Sequence, residues 1–259
     1  MEQQYAICRV AVSPLRTDPS DKAEICSQLL FGDQVTLVEK TERWWLVRNA
    51  YDNYEGWVDF RQLTDLSPDQ FEVAQTCEYL VPANALNVVV DSAGANYYLS
   101  PGSNLPFYKD GYCQLGQERY QVQFEPRKVN VSEPARLIAD ALFFRNVSYL
   151  WGGRNFYGMD CSGFTQTVYK LNGFRLNRDA WQQAEQGITV DFLQEVQPGD
   201  VAFFDNAEGR ITHVGILLSP SEIIHASAKV RIDRIDTQGI YNEELGRYTH
   251  KLRIIKRYL

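Results

Sequence analysis

Along the first 66 residues, apolar positions come in short runs separated by turn signals. Residues 8–12, 34–39, 44–48 and 56–59 are rich in β-branched and aromatic side chains and closely spaced, which predicts the strands of a small β-barrel. Residues 67–128 continue as β structure: 88–90, 97–99 and 120–124 read as strands, punctuated by Gly94, Pro101-Gly102 and Asp110-Gly111. The pattern then changes. Ser132-Glu-Pro-Ala predicts a helix start with Ser132 as cap and Pro134 in the first turn, followed by an apolar face of Leu137, Ile138, Ala141 and Leu142. A second helix is predicted from about Asp160, because Phe164, Thr165, Val168 and Leu171 follow Cys161 at helical spacing. Strand-like runs at 200–204, 213–218, 222–226, 230–235 and 252–258 come after it. Helices followed by a run of strands predict an α+β domain with an antiparallel sheet over residues 129–259. The chain thus reads as multidomain, with β modules at 1–66 and 67–128 in front of that domain.

With 259 residues there is room for two to three small domains, and a hydrophobic content of 44% with 23% charged residues is ordinary for a globular protein. The net charge of −7 argues against nucleic acid or an anionic membrane surface as partner. No apolar run approaches spanning length, so no membrane insertion is expected. Met1-Glu-Gln-Gln-Tyr5 offers neither the basic nor the apolar region of a signal peptide, and a cytoplasmic location is the expectation. The five cysteines, Cys8, Cys26, Cys77, Cys113 and Cys161, form no CxxC pair and no metal-finger spacing. Four of them read as buried reduced thiols.

Cys161 differs in its context, Asp160-Cys-Ser-Gly-Phe164. A cysteine at a helix start feels the positive end of the helix dipole, which favours thiolate, and free N–H groups of the first turn can stabilise an oxyanion. Gly152-Gly153 upstream permits close backbone approach by a ligand. Two histidines sit on neighbouring strands: His213 in Ile211-Thr-His-Val-Gly-Ile216, and His225 in Ile223-Ile-His-Ala-Ser227, with Ser219-Pro-Ser221 as the turn. A hairpin centred on residue 219 sets the two histidines opposite each other or nearly so, with Cβ atoms roughly 5 Å apart. The same pair with Cys161 could hold zinc, but no further carboxylate or thiol lies at ligand spacing, so no metal or other cofactor is expected. His250, near the basic C-terminus, reads as a surface residue.

The stretches Tyr149-Leu-Trp-Gly-Gly153, Asp160-Cys-Ser-Gly-Phe164, Arg178-Asp-Ala-Trp-Gln-Gln183, Gln197-Pro-Gly-Asp-Val-Ala-Phe-Phe204, Thr212-His-Val-Gly-Ile216 and Ile224-His-Ala-Ser227 resemble, in order, the NlpC/P60 cysteine peptidases. The resemblance covers roughly residues 130–259 and implies a papain-like α+β fold. In front of it, Val12-Ser-Pro-Leu-Arg16, Gln28-Leu-Leu-Phe-Gly-Asp33, Trp44-Trp-Leu-Val-Arg48 and Tyr54-Glu-Gly-Trp-Val58 resemble a bacterial SH3 (SH3b) domain, with residues 67–128 weakly similar to a second, diverged one. Packing in the core and at the barrel rim is the better reading of at least two of Trp44, Trp45 and Trp57.

Carried over, the resemblance implies Cys161 as nucleophile, His213 as general base and His225 as the residue that orients it. It also implies substrate contacts from Tyr149 near the oxyanion, from Asp160 and Ser162, and from Tyr54 on an SH3b loop. Asp160 is the leading carboxylate for a substrate α-amine, with Glu55 second. Ala180 stands where relatives often carry Ser, a departure that puts one substrate hydrogen bond in question but not the chemistry. SH3b modules ahead of such a domain resemble the γ-D-glutamyl-L-diamino acid endopeptidases, which cut free muropeptides with an unblocked N-terminal L-Ala during cell-wall recycling. Two rivals are a non-catalytic SH3b wall-binding protein, which the intact Cys161, His213 and His225 disfavour, and a papain-like amidase or acyltransferase on another substrate, which the SH3b module disfavours.

Overall fold

The computed structural model describes residues 3–258. Two compact units emerge, one of residues 3–129 with 151–156, the other of residues 130–150 with 157–258.

The first unit opens with β1 (Tyr5–Cys8), β2 (Val12–Arg16), β3 (Ile25–Leu30), β4 (Gln34–Lys40), β5 (Trp44–Asn49), β6 (Glu55–Asp59) and β7 (Leu63–Leu66), in sheet order β3-β2-β6-β5-β4-β1-β7. Alternation along these strands turns Ala6, Cys8, Leu15, Leu29, Val35, Val47, Val58 and Leu63 into one core. Trp44 is buried, and Trp45 stacks on Phe60 with ring centres 5.6 Å apart. A helix absent from the predicted pattern follows, α1 (Pro68–Gln75), opened by a capping box of Ser67 and Gln70. Then come β8 (Tyr79–Leu80), β9 (Val88–Val90), β10 (Asn96–Tyr98), β11 (Tyr112–Leu115), β12 (Glu118–Val122) and β13 (Arg127–Lys128), with β10-β9-β12-β11 as a four-stranded sheet. Ile7 and Phe31 of the first segment share a core with Phe71, Val89, Leu115 and Tyr120 of the second. The segment 151–156, which holds β14 (Arg154–Asn155), packs in this unit against β3. Gly152 there has φ +74°, and a Cβ would stand 2.3 Å from the Ile25 carbonyl oxygen. The close approach that Gly152 permits is thus to barrel backbone, a correction to the ligand expected from the sequence.

The second unit contains α2 (Pro134–Phe143), β15 (Gly158–Met159), α3 (Cys161–Leu171), α4 (Ala180–Ala184), and β16 (Ile188–Val190) to β22: β17 (Val201–Asp205), β18 (Ile211–Ser219), β19 (Glu222–Ser227), β20 (Lys229–Asp236), β21 (Gly239–Asn242) and β22 (Arg247–Arg257). The cap of α2 is Glu133 rather than Ser132, whose hydroxyl instead donates to the Asn130 carbonyl. Pro134 explains the shift: proline favours the first helical position, so the residue before it becomes the cap. Sheet order is β16-β22-β17-β18-β19-β20-β21, and β21 also pairs with β22, so six strands close on themselves. α3 is buried along its whole length, packed on α2, β18 and β19. Among the described residues, no helix is long and apolar enough to cross a membrane.

Candidate active site

Asp160 caps α3: its Oδ1 accepts the Gly163 N–H at 2.7 Å, which makes Cys161 the first helical residue. The Asp160 carboxylate is itself clamped by the buried Arg178, at 3.0 Å from Oδ1 and 2.6 Å from Oδ2, and Ser162 Oγ lies 3.2 Å from Oδ1. Gln183 of α4 donates to the Ser162 carbonyl at 3.0 Å. The Arg178–Gln183 stretch therefore builds the start of the helix that presents the cysteine.

The Cys161 thiol accepts from the backbone N–H groups of Val214 and Ser162, so it touches β18 next to His213. Burial pushes this thiol up to about 12, and the Asp160 charge adds to the rise; the two N–H groups and Arg178 pull the other way without reversing it. Burial thus works against the thiolate that the helix start alone favours.

Register places the histidines differently from a hairpin centred on residue 219. His225 pairs with Gly215, two residues beyond His213: the turn is centred past Pro220, with Ser219 opposite Glu222, and a bulge between Leu217 and Ser219 takes back one residue of the resulting slip. A two-residue offset keeps both rings on one face. They meet on the diagonal, with His213 Nε2 2.8 Å from His225 Nδ1. Gly215 makes the room: a Cβ there would stand 2.7 Å from His225 Cβ. Behind His225, its Nε2 lies 3.0 Å from Asp233 Oδ2 on β20, and Asp233 also pairs with Arg231 at 2.9 Å. Sequence reasoning missed Asp233, which lies among alternating charges.

This chain assigns the protons. Asp233 is held below the ordinary carboxylate range: burial opposes this, but hydrogen bonds from His225 and Arg231 outweigh it. An ionised Asp233 accepts, so His225 Nε2 carries the hydrogen. Burial, above all, lowers the pKa of His225, whose Nδ1 in the neutral ring accepts from His213 Nε2–H. Burial, with His225 and His250 nearby, likewise puts His213 well below the usual imidazole range. The lone pair of His213 is then on Nδ1, the nitrogen left for the thiol. The arrangement can deprotonate a cysteine and carry the resulting imidazolium on a buried carboxylate.

His250 is a correction. It is partly buried rather than a surface residue, its ring stacked on His213 with centres 4.0 Å apart and planes 25° apart. Tyr149 is half-buried, its hydroxyl pushed up to about 12 by burial and by Cys161 and Asp160. With Thr212, His213, Ala226, Ser227, Ala228 and His250 it lines a cavity of about 350 Å³. In the other unit, Tyr54 stands on the loop between β5 and β6, half-buried rather than exposed, and Glu55 is paired with Arg48 at 2.6 Å. Among the described residues, no group of three His, Cys, Asp or Glu is placed to hold a metal ion.

Residues 146–249 match the NlpC/P60 family, and residues 15–63 match the bacterial dipeptidyl-peptidase SH3 domain. The chain carries an NlpC/P60 cysteine-peptidase domain. It is 29% identical over 256 residues to a γ-D-glutamyl-L-lysine dipeptidyl-peptidase of Bacillus cereus, covering 85% of this chain and 73% of that protein. It is 28% identical over 239 residues to the protein of the same name in Bacillus subtilis, with 85% and 79% covered. The crystal structure of an NlpC/P60 family protein from Bacillus cereus shares the fold, with a TM-score of 0.83 at 23% identity over 98% of this chain and 99% of that one. The SH3-like β domain and the α+β NlpC/P60 domain expected from the sequence are both present.

Proposed function

We propose that this peptidase hydrolyses the amide bond between γ-D-Glu and a diamino acid in free peptides derived from peptidoglycan, with Cys161 as nucleophile, His213 as base and His225 as the residue that orients it. The observation that carries the reading is the buried run from Asp233 through His225 to His213, which leaves Nδ1 of His213 as a base beside the strand position that Cys161 touches. The thiol proton passes to Nδ1 as sulfur attacks the carbonyl carbon. The oxyanion is held by N–H groups at the start of α3, with Tyr149 nearby. His213 then protonates the departing amine, and water hydrolyses the acyl-enzyme by the same groups in reverse. The names of the two Bacillus relatives support the γ-D-Glu bond. Asp160, held rigid by Arg178 and Ser162, is the proposed carboxylate for the free amine of an N-terminal L-Ala, and Tyr54 a proposed second contact.

The test compares L-Ala-γ-D-Glu-diaminopimelate and its lysine analogue, each with a free or an acetylated N-terminus. A charge-assisted bond to the amine is worth about 1.5–3 kcal/mol, so acetylation should lower kcat/KM at least about tenfold. Equal turnover would remove the free amine from the specificity. Tyr54→Ala on the free peptide should raise KM, and unchanged kinetics would remove Tyr54 from the site.

A further inference from the structure

Resting on the reading of His213 as base, we propose that His250 is a positioning residue for it, the flat support that fixes the tilt of the His213 ring. The hydrogen bond to His225 holds His213 at Nε2, near the far end of the ring and close to the axis about which the ring turns. Such a bond fixes the tip and leaves the tilt free, yet tilt decides where Nδ1 points. Two rings supply the missing restraint. Phe204, paired with His213 across β17 and β18, meets it at 5.7 Å and 47°. His250 lies nearly parallel to it at 4.0 Å and meets Phe204 edge-on at 6.0 Å.

The placement follows from the sheet. Phe204 pairs with Leu252 on β22, and His250, two residues away, lies on the same face. Nδ1 of His250 is 2.9 Å from Thr249 Oγ1, which holds the supporting ring in turn. The titratable groups around the two rings are His225 on β19, Asp233 on β20, Cys161 on α3 and Tyr149 on the loop between α2 and β14; β17 and β21 contribute Phe204 and Ile240. Burial lowers His250 to about 4, so at neutral pH it sets no positive charge beside a ring that must become imidazolium. A flat, uncharged ring is what the position requires, and phenylalanine should serve where glutamine does not.

The experiment measures kcat, KM and the acid limb of kcat/KM for His250→Ala, His250→Phe and His250→Gln on a peptide that the wild type cleaves. His250→Ala should lower kcat about tenfold or more with KM within about twofold, the scale expected for a misaimed catalytic group. Its acid limb should move up, because water reaching His213 relieves the burial that depresses it. His250→Phe should keep kcat within about threefold of wild type and leave the limb in place, while His250→Gln should behave like the alanine variant. Wild-type kcat in His250→Ala overturns the proposal, as do a change confined to KM and an inactive His250→Phe beside an active His250→Gln. If the alanine variant does not fold, the Phe and Gln pair decides. His213→Ala separates this inference from the reading beneath it: activity there refutes the base, whereas an inactive His213→Ala beside a wild-type His250→Ala refutes only the support.

Discussion

Asp233→Asn keeps the shape of the side chain behind His225 and removes its charge. In the wild type the carboxylate lies 3.0 Å from His225 Nε2, and His225 lies 2.8 Å from His213. Two hydrogen bonds with one imidazole between them put the Asp233 charge roughly 8 Å from the ring that becomes imidazolium, where opposite charges at an effective dielectric of about 20 attract by about 2 kcal/mol. That alone is about 30-fold in kcat. Arg231, 2.9 Å from Asp233 and retained in the variant, keeps Glu244 but loses its counter-charge on the His225 side, and opposes the imidazolium further. An amide can also turn its NH₂ toward His225; the tautomer chain then reverses and His213 presents N–H to the thiol. The expected outcome is a fall in kcat of about 30- to 100-fold with KM nearly unchanged. The assay is steady-state cleavage of the peptide substrate, with circular dichroism showing a folded chain. A kcat within about threefold of wild type would refute the reasoning from Asp233 to His213.

Other perturbations reach the same geometry from different sides. Gly215→Ala puts a Cβ 2.7 Å from that of His225, so the strands must shift; the expected cost is about 1–3 kcal/mol in unfolding free energy and at least about tenfold in kcat, and a variant matching wild type in both would contradict the close approach. Arg178→Met strips the partner from a buried carboxylate and should destabilise the fold by about 3–5 kcal/mol in chemical denaturation, with loss below about 1 kcal/mol counting against the clamp on Asp160. Burial depresses the folded pKa values of His213, His225 and His250 below 6.5, so between those values and 6.5 the unfolded chain binds more protons. Stability should therefore fall as pH drops below about 6.5, seen as a Tm lower at pH 5 than at pH 7, and a Tm that rises on acidification would contradict neutral buried histidines.

Five of the six strands of residues 200–258 were legible as runs of alternating or fully apolar residues bounded by turn residues, the four-residue β21 (Gly239–Asn242) was not, and α3 was legible because its helical spacing starts at a capping aspartate. α1 was overlooked although Ser67, Pro68 and Gln70 spell a helix start, since only Phe71 and Ala74 are buried along it and the apolar period is weak. The meeting of His213 and His225 could be read from hairpin arithmetic, but the two-residue offset could not, because it combines a turn centred past Pro220 with a bulge that takes back one residue. Asp233 and His250 lay beyond local reasoning. Asp233 sits in Arg231-Ile-Asp-Arg-Ile-Asp236, where alternation suits a half-exposed strand and does not single out which aspartate turns inward. His250 reaches His213 only because β22 lies beside β17 in a sheet that closes on itself, a pairing between distant segments that no local pattern encodes. The surroundings of the thiol are a related case: helix position is visible in sequence, whereas the burial that works against it is a property of the packed fold.

The central claim is that Cys161 cuts the bond after γ-D-Glu. Its most direct test is mass spectrometry of L-Ala-γ-D-Glu-diaminopimelate incubated with the wild-type chain and with Cys161→Ala. The wild type should yield two products, the dipeptide L-Ala-D-Glu and free diaminopimelate. Cys161→Ala, folded to the same melting temperature, should leave the peptide intact, with a rate reduced on the order of 10⁴-fold or more. Cleavage by Cys161→Ala at more than about a tenth of the wild-type rate, or wild-type products that break a different bond, would contradict the account.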